Sequence, residues 1–206
     1  SHNKKITLKL RNGISYSVNA NTNEILMVNE IWNMKVYDPL LRNVRDGATV
    51  VDIGANIGVF SMKAASAAKN VKVFSYEPFP QSFNGLTENI RLNGFKKSIT
   101  SVNKAVAGRR GELELFFRPN DPGGVSTYQL GDKSELHSIK VPAVTLEDVF
   151  RENKIETCDF MKMDCEGAEE EILMNAPKEL FQRIKSITLE WHYDLNELSI
   201  NEFRKF

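Results

Sequence analysis

The 206-residue chain is short of most features that mark a specialised protein class. It has two cysteines, Cys158 and Cys165, too few for a disulfide framework. Both lie in or beside an apolar, strand-like stretch, which suits reduced, structural thiols and a cytoplasmic setting. Net charge is absent, since 27 Lys+Arg meet 27 Asp+Glu. That balance argues against a nucleic-acid or anionic-membrane binder, which would carry a basic excess. No apolar run approaches the ~18–20 residues of a membrane span, and the N-terminus shows no signal-peptide core. Histidine is scarce as well. With Ser1-His2 set aside as a cloning remnant, His137 and His192 remain for imidazole chemistry. The hydrophobic and charged fractions, 41% and 26%, are ordinary globular values, and the length fits one domain.

Residues 6–18 alternate weakly around Asn12-Gly13, a hairpin signal, and 23–32 suggest a short amphipathic helix. These form an N-terminal extension over 1–46. From 47 the pattern changes to strand–helix alternation: strands at 49–53, 71–76, 99–107, 160–163 and 184–191, and helices at 57–69, 145–151 and 168–173. Pro80 suits the first turn of a further helix that Asn93-Gly94 ends. Residues 111–141 interrupt this rhythm as a β-rich excursion with a mobile Pro/Gly-rich loop at 119–124. The alternation predicts an α/β domain over 47–206, with a doubly wound, mostly parallel sheet that binds ligands at the carboxyl ends of its strands.

The first strand runs into Asp52-Ile53-Gly54-Ala55-Asn56-Ile57-Gly58. Gly54 and Gly58 permit a tight turn and close backbone approach, but Asn56 stands where a dinucleotide fingerprint needs its middle glycine. A dehydrogenase is thereby disfavoured. Asp52 suits an ammonium group, and Glu77, ending the second strand, suits the two hydroxyls of a ribose. Pro78 and Phe79 follow Glu77 in the same loop and join the cofactor set. Asn103 and Ala105, near the end of the third strand, can pair with an adenine edge. A ligand with an amino-acid head and a nucleoside tail is S-adenosylmethionine.

The fourth strand delivers Asp164, with Glu166 two residues on at the start of a helix; Glu169, Glu170 and Glu171 read as a solvated acidic helix start. The last strand ends Glu190-Trp191-His192, and alternation sets Glu190 and His192 on one side, near Asp164. His192 is then a natural general base for a hydroxyl, oriented by a neighbouring carboxylate, with Asp164 the other candidate. Four such groups could also hold a divalent cation, but no compact ligand motif supports one and no metal site is expected. His137, in a polar loop, is incidental.

At these residues the chain resembles the FkbM family of S-adenosylmethionine-dependent methyltransferases. The matching stretches are 51–61 (VDIGANIGVFS), 76–78 (YEP), 144–149 (VTLEDV), 162–169 (KMDCEGAE) and 190–192 (EWH). The resemblance implies a class I methyltransferase, Rossmann-like fold and O-methylation of hydroxyls on sugars or secondary metabolites. It implies that Asp52, Gly54, Ala55, Asn56, Gly58 and Glu77 serve the cofactor, and that Asp164, Glu166, Glu190 and His192 face the transferred methyl. A small-molecule hydroxyl acceptor is the expected partner, with no nucleic acid and no membrane. The class I sheet closes with an antiparallel hairpin after its fifth parallel strand, and here that hairpin is missing from the pattern. Alternatives are an amine or nucleic-acid base N-methyltransferase and a catalytically silent cofactor-binding module.

Overall fold

A computed structural model describes residues 4–20, 22–118, 121–126 and 136–192, with 121–126 described by backbone alone. The Asn12-Gly13 turn joins β1 (Lys5–Lys9) to β2 (Ser15–Asn19) in antiparallel register, Lys5 opposite Asn19 and Lys9 opposite Ser15. The expected helix after it splits into α1 (Glu24–Asn29) and a π-helical turn, Glu30–Met34, which ends at Lys35 in the left-handed region. A short α2 (Asp38–Leu41) follows.

The apolar run β3 (Thr49–Ile53) is a central strand, because a strand covered on both faces must be apolar on both. It is followed by α3 (Val59–Ala65), β4 (Lys72–Tyr76), α4 (Pro80–Leu92) and β5 (Ile99–Val102). Pro80 occupies the first turn of α4, where its missing N–H costs nothing, and Asn93 caps the far end. The hairpin docks on this helix through asparagines that replace a missing strand edge. Asn89 and Asn93 accept from the backbone N–H groups of Ser17 and Ser15 at 2.7 and 2.8 Å.

The structure divides the single strand expected at 99–107. β5 stays in the main sheet, while β6 (Ala105–Val106) crosses to a second one. The cause is Asn103, whose side-chain amide donates to the carbonyls of Glu77 and Pro78 at 2.8 and 3.0 Å and turns the chain. The excursion forms β7 (Gly111–Arg118), β8 (Asp121–Ser126) and β9 (His137–Val144), which join β6 in the order β6-β9-β7-β8. Part of the Pro/Gly-rich stretch expected as a loop is therefore strand, because pairing with β7 satisfies its backbone.

After β9, α5 (Leu146–Glu152) opens with a capping box: Thr145 and Asp148 satisfy each other's backbone N–H groups. Then come β10 (Phe160–Met163), α6 (Glu169–Asn175), α7 (Lys178–Phe181) and β11 (Ile187–Leu189). The main sheet is wholly parallel in the order β11-β10-β3-β4-β5. One apolar cluster joins Val50, Val73 and Phe160 to α3, α4 and the N-terminal hairpin; a second joins Val51, Ile53 and Met161 to α5 and α6. The architecture is the expected doubly wound α/β domain. No helix among the described residues is long and apolar enough to cross a membrane. The expectation about a closing hairpin falls on residues after His192, outside the described residues.

Candidate active site

At the carboxyl edge of the main sheet, a cavity opens between the turns after β3, β4 and β10. Of the predicted residues, Gly54, Ala55, Asn56, Glu77, Pro78, Ala105, Asp164, Glu166 and Glu190 line it. Asp52, Gly58, Phe79, Asn103 and His192 are not among its lining residues.

The turn after β3 is set by backbone conformation. Gly54 and Gly58 have φ of +76° and +84°, and Asn56, at +49°, is a residue type that tolerates the left-handed region. The close approaches that the glycines permit are internal. A Cβ on Gly54 would lie 1.7 Å from the Asp164 carbonyl oxygen, and one on Gly58 would lie 2.4 Å from Leu86. The turn packs against its neighbours, and Gly54 alone of the two faces the cavity.

Asp52 is fully buried. Its Oδ2 accepts from Ser61 Oγ at 2.5 Å, and burial pushes its carboxyl up against the pull of Lys162. Strand register sets Lys162, Asp52 and Ser75 directly opposite one another, a polar row inside an apolar sheet.

Glu77 is 7% exposed and accepts one backbone N–H at each oxygen, from Asn56 and Phe79, both at 2.8 Å. Burial raises it to about 7 against those two donors. Phe79 turns away to stack on Phe117 at 5.0 Å, which in turn meets His137 at 5.8 Å. Ala105, Val106 and Leu115 supply an apolar wall on the excursion side.

Asp164, Glu190 and His192 each bring one potential ligand atom within 4.8 Å of the other two, so side chains from β10 and the end of β11 converge as alternation predicts. The chemistry of that donor set is carboxylate and imidazole, which can hold a divalent cation or handle a proton. Glu166 does not start a helix. It sits in a turn at φ +54°, followed by Gly167 at +101°, and α6 begins three residues later. Burial raises its carboxyl to about 7 against the attraction of His192, whose Nε2 lies 3.4 Å away.

Glu169 overturns the expectation of a solvated helix start. It is fully buried, faces His192 Nδ1 at 3.0 Å and accepts the backbone N–H groups of Cys165 and Gly167 at 3.0 Å. Burial opposes its charge, but His192 and the backbone donors prevail and hold it at about 2. Its hydrogen bond lifts His192 to about 9 against burial. The second spacing of the motif, Gly167 then Glu169, was the signal: a carboxylate that closes its own preceding turn is drawn inward.

Sequence reasoning also missed Lys162, 5% exposed and the one basic residue lining the cavity among the described residues. An i, i+2 lysine–aspartate pair in an otherwise apolar central strand marks it. Glu30 and Tyr37 were missed too, and they reach the cavity from the N-terminal extension. Tyr37 stacks edge-on against Phe60 at 4.9 Å, and burial raises its phenol to about 12. No local pattern marks either residue. Cys158 and Cys165 are free thiols, each pushed up by burial, and Cys165 lines the cavity.

The family model described as the methyltransferase FkbM domain matches residues 52–205. The chain is 26% identical to methyltransferase sdnD of Sordaria araneosa, over 86% of this chain and 78% of that one. It is 27% identical to the 31-O-demethyl-FK506 methyltransferase FkbM of Streptomyces tacrolimicus, over 90% and 81%. It is 24% identical to the hexuronic acid methyltransferase AglP of Haloferax volcanii, over 80% and 67%. A match spanning three quarters of the chain, on a parallel sheet whose carboxyl edge carries the motif acids, places this protein in the FkbM family of methyltransferases.

Proposed function

We propose that the protein transfers the methyl of S-adenosylmethionine to a hydroxyl oxygen of a small molecule, a sugar or a secondary-metabolite-like acceptor. The carrying observation is that one cavity is lined by Glu77 at the end of β4 and by Asp164 and Glu190 at the ends of β10 and β11, on opposite sides of β3, with His192 beside those two acids. At a strand spacing of about 4.8 Å, β4 and β10 stand roughly 10 Å apart, a span suited to a nucleoside with an amino-acid tail.

The residues present fit that cofactor. Each Glu77 oxygen takes one backbone donor and keeps acceptor capacity for a ribose hydroxyl. Ala105, Val106 and Leu115 offer an apolar slot for the base. Asp164, Glu166 and Glu190 make the other side of the cavity anionic, which suits ammonium and sulfonium charge. The cofactor supplies an electrophilic methyl when bound. The chain's part is to align the acceptor oxygen, exclude water and receive a proton.

His192 is the base in this reading. Glu169 fixes Nδ1, leaving Nε2 directed toward the Glu166 side, where an acceptor hydroxyl would lie. With the imidazole at about 9, its neutral fraction grows as pH rises, so turnover climbs toward pH 9. The test is calorimetry with S-adenosylhomocysteine, followed by a methyl-transfer screen of neutral sugar and polyketide hydroxyls. Tight binding and an O-methylated product support the reading. A folded protein that binds no S-adenosylhomocysteine, or methylates only amines, refutes it.

A further inference from the structure

A lysine is almost never fully buried unless it is paired, and a central strand apolar on both faces is the least hospitable place for one. Lys162 is in that position on β10. Its ammonium lies 3.1 Å from the Gly54 carbonyl oxygen, 3.1 Å from Asp164 Oδ2 and 3.7 Å from Asp52 Oδ1. Tyr37, Glu77 and Glu190 lie near enough to feel its charge.

Two roles are open to such a side chain: balancing the buried charge of Asp52, or holding the groups that line the cavity. The distances separate them. Both directed hydrogen bonds end on Gly54 and Asp164, which line the cavity. Asp52 is held only as a longer ion pair at 3.7 Å, and it does not line the cavity, so charge balance there is a separate contribution from the two bonds that join the turns. The two turns that Lys162 joins already abut, since a Cβ on Gly54 would overlap the Asp164 carbonyl. One side chain thus spans the joint between the turn after β3 and the turn after β10.

We propose that Lys162 is a positioning residue that locks the Gly54 turn to the Asp164 carboxylate, so that the cofactor side and the acceptor side of the cavity hold a single geometry. This rests on the reading of the cavity as an S-adenosylmethionine site. A lysine suits the task better than an arginine, because a compact point charge can serve a carbonyl and a carboxylate from one atom.

The test compares wild type, K162M and the double variant D52N/K162M, each by calorimetry with S-adenosylhomocysteine and by thermal unfolding. K162M should bind at least tenfold more weakly and melt lower. D52N/K162M should recover melting temperature, because the uncompensated buried carboxylate is gone, yet keep the weakened affinity. Recovery of affinity together with melting temperature would reduce Lys162 to a charge balance and overturn the proposal. Wild-type affinity in K162M would overturn it too. A wild type that binds no S-adenosylhomocysteine would instead defeat the cofactor reading. Wild-type protein labelled with 15N-lysine gives a readout that needs no variant. The ammonium groups of buried Lys63 and Lys162 should exchange slowly, and one should shift when S-adenosylhomocysteine is added. If neither moves, the lysine does not sense the site and the proposal fails.

Discussion

Replacing Glu169 with glutamine isolates the electrostatics of the imidazole. Glutamine has nearly the same shape and, with its carbonyl at the Oε1 position, keeps the Cys165 N–H at 3.0 Å and the longer Gly167 contact at 3.3 Å, but it carries no charge to pair with imidazolium. A hydrogen bond to a charged group contributes about 1.5–3 kcal/mol, and one pKa unit corresponds to about 1.36 kcal/mol. His192 should therefore fall by about one to two units. Its starting point is about 9. Titration of the imidazole C–H resonances by NMR reads this directly. The linkage has a definite sign. His192 is raised from 6.5 to about 9 in the folded chain, so its contribution to stability is complete below 6.5 and is lost as pH rises through 9. Glu169 is depressed from 4.5 to about 2, so its contribution is complete above 4.5 and is lost as pH falls through 2. The melting-temperature gap between wild type and E169Q should be widest between pH 4.5 and 6.5 and narrow as pH rises through 9. A His192 midpoint unchanged in E169Q would refute the assignment of Glu169 as the group that raises it.

Other outcomes follow from single residues. E77Q removes a charged acceptor and should weaken S-adenosylhomocysteine by roughly tenfold or more, since bonds to charged groups contribute about 1.5–3 kcal/mol each. Wild-type affinity should strengthen as pH rises through about 7, where Glu77 loses its proton, and that pH dependence should vanish in E77Q; calorimetry across pH decides both. G54A sets a Cβ 1.7 Å from the Asp164 carbonyl oxygen at a positive φ, and should cost at least about 2 kcal/mol by denaturant unfolding. T145A removes the cap of α5 and should cost about 1 kcal/mol, or about 2–4 °C of melting temperature, without altering S-adenosylhomocysteine affinity.

The parts of the site that sequence reading found are those whose position follows from strand periodicity. Asp164, Glu190 and His192 converge because strand ends in a parallel sheet point their side chains to one edge, and the alternation that groups them is local. Asp52 shows the limit of that logic. It lies before the turn, as an ammonium partner should, but alternation turns it inward to Ser61 while the turn itself faces the cavity. Glu169 and Glu170 look alike in sequence, both acids at a helix start, and only one is buried. What separates them is the direction each takes from α6 relative to His192, which lies 23 residues on.

By itself the sequence determined the doubly wound sheet, the turns at its carboxyl edge and the membership of the motif acids in one site. These follow from hydrophobic period, helix and turn signals and the spacing of motifs along the chain. Only the tertiary structure decided which groups face the cavity and which support it. Lys162 depends on register across β3 and β10, Glu169 on the packing of α6 under His192, and Tyr37 on the docking of the N-terminal extension. The physical reason is common to all three. Burial and hydrogen bonding between segments distant in sequence set the charge and direction of a side chain, and no local pattern carries that information.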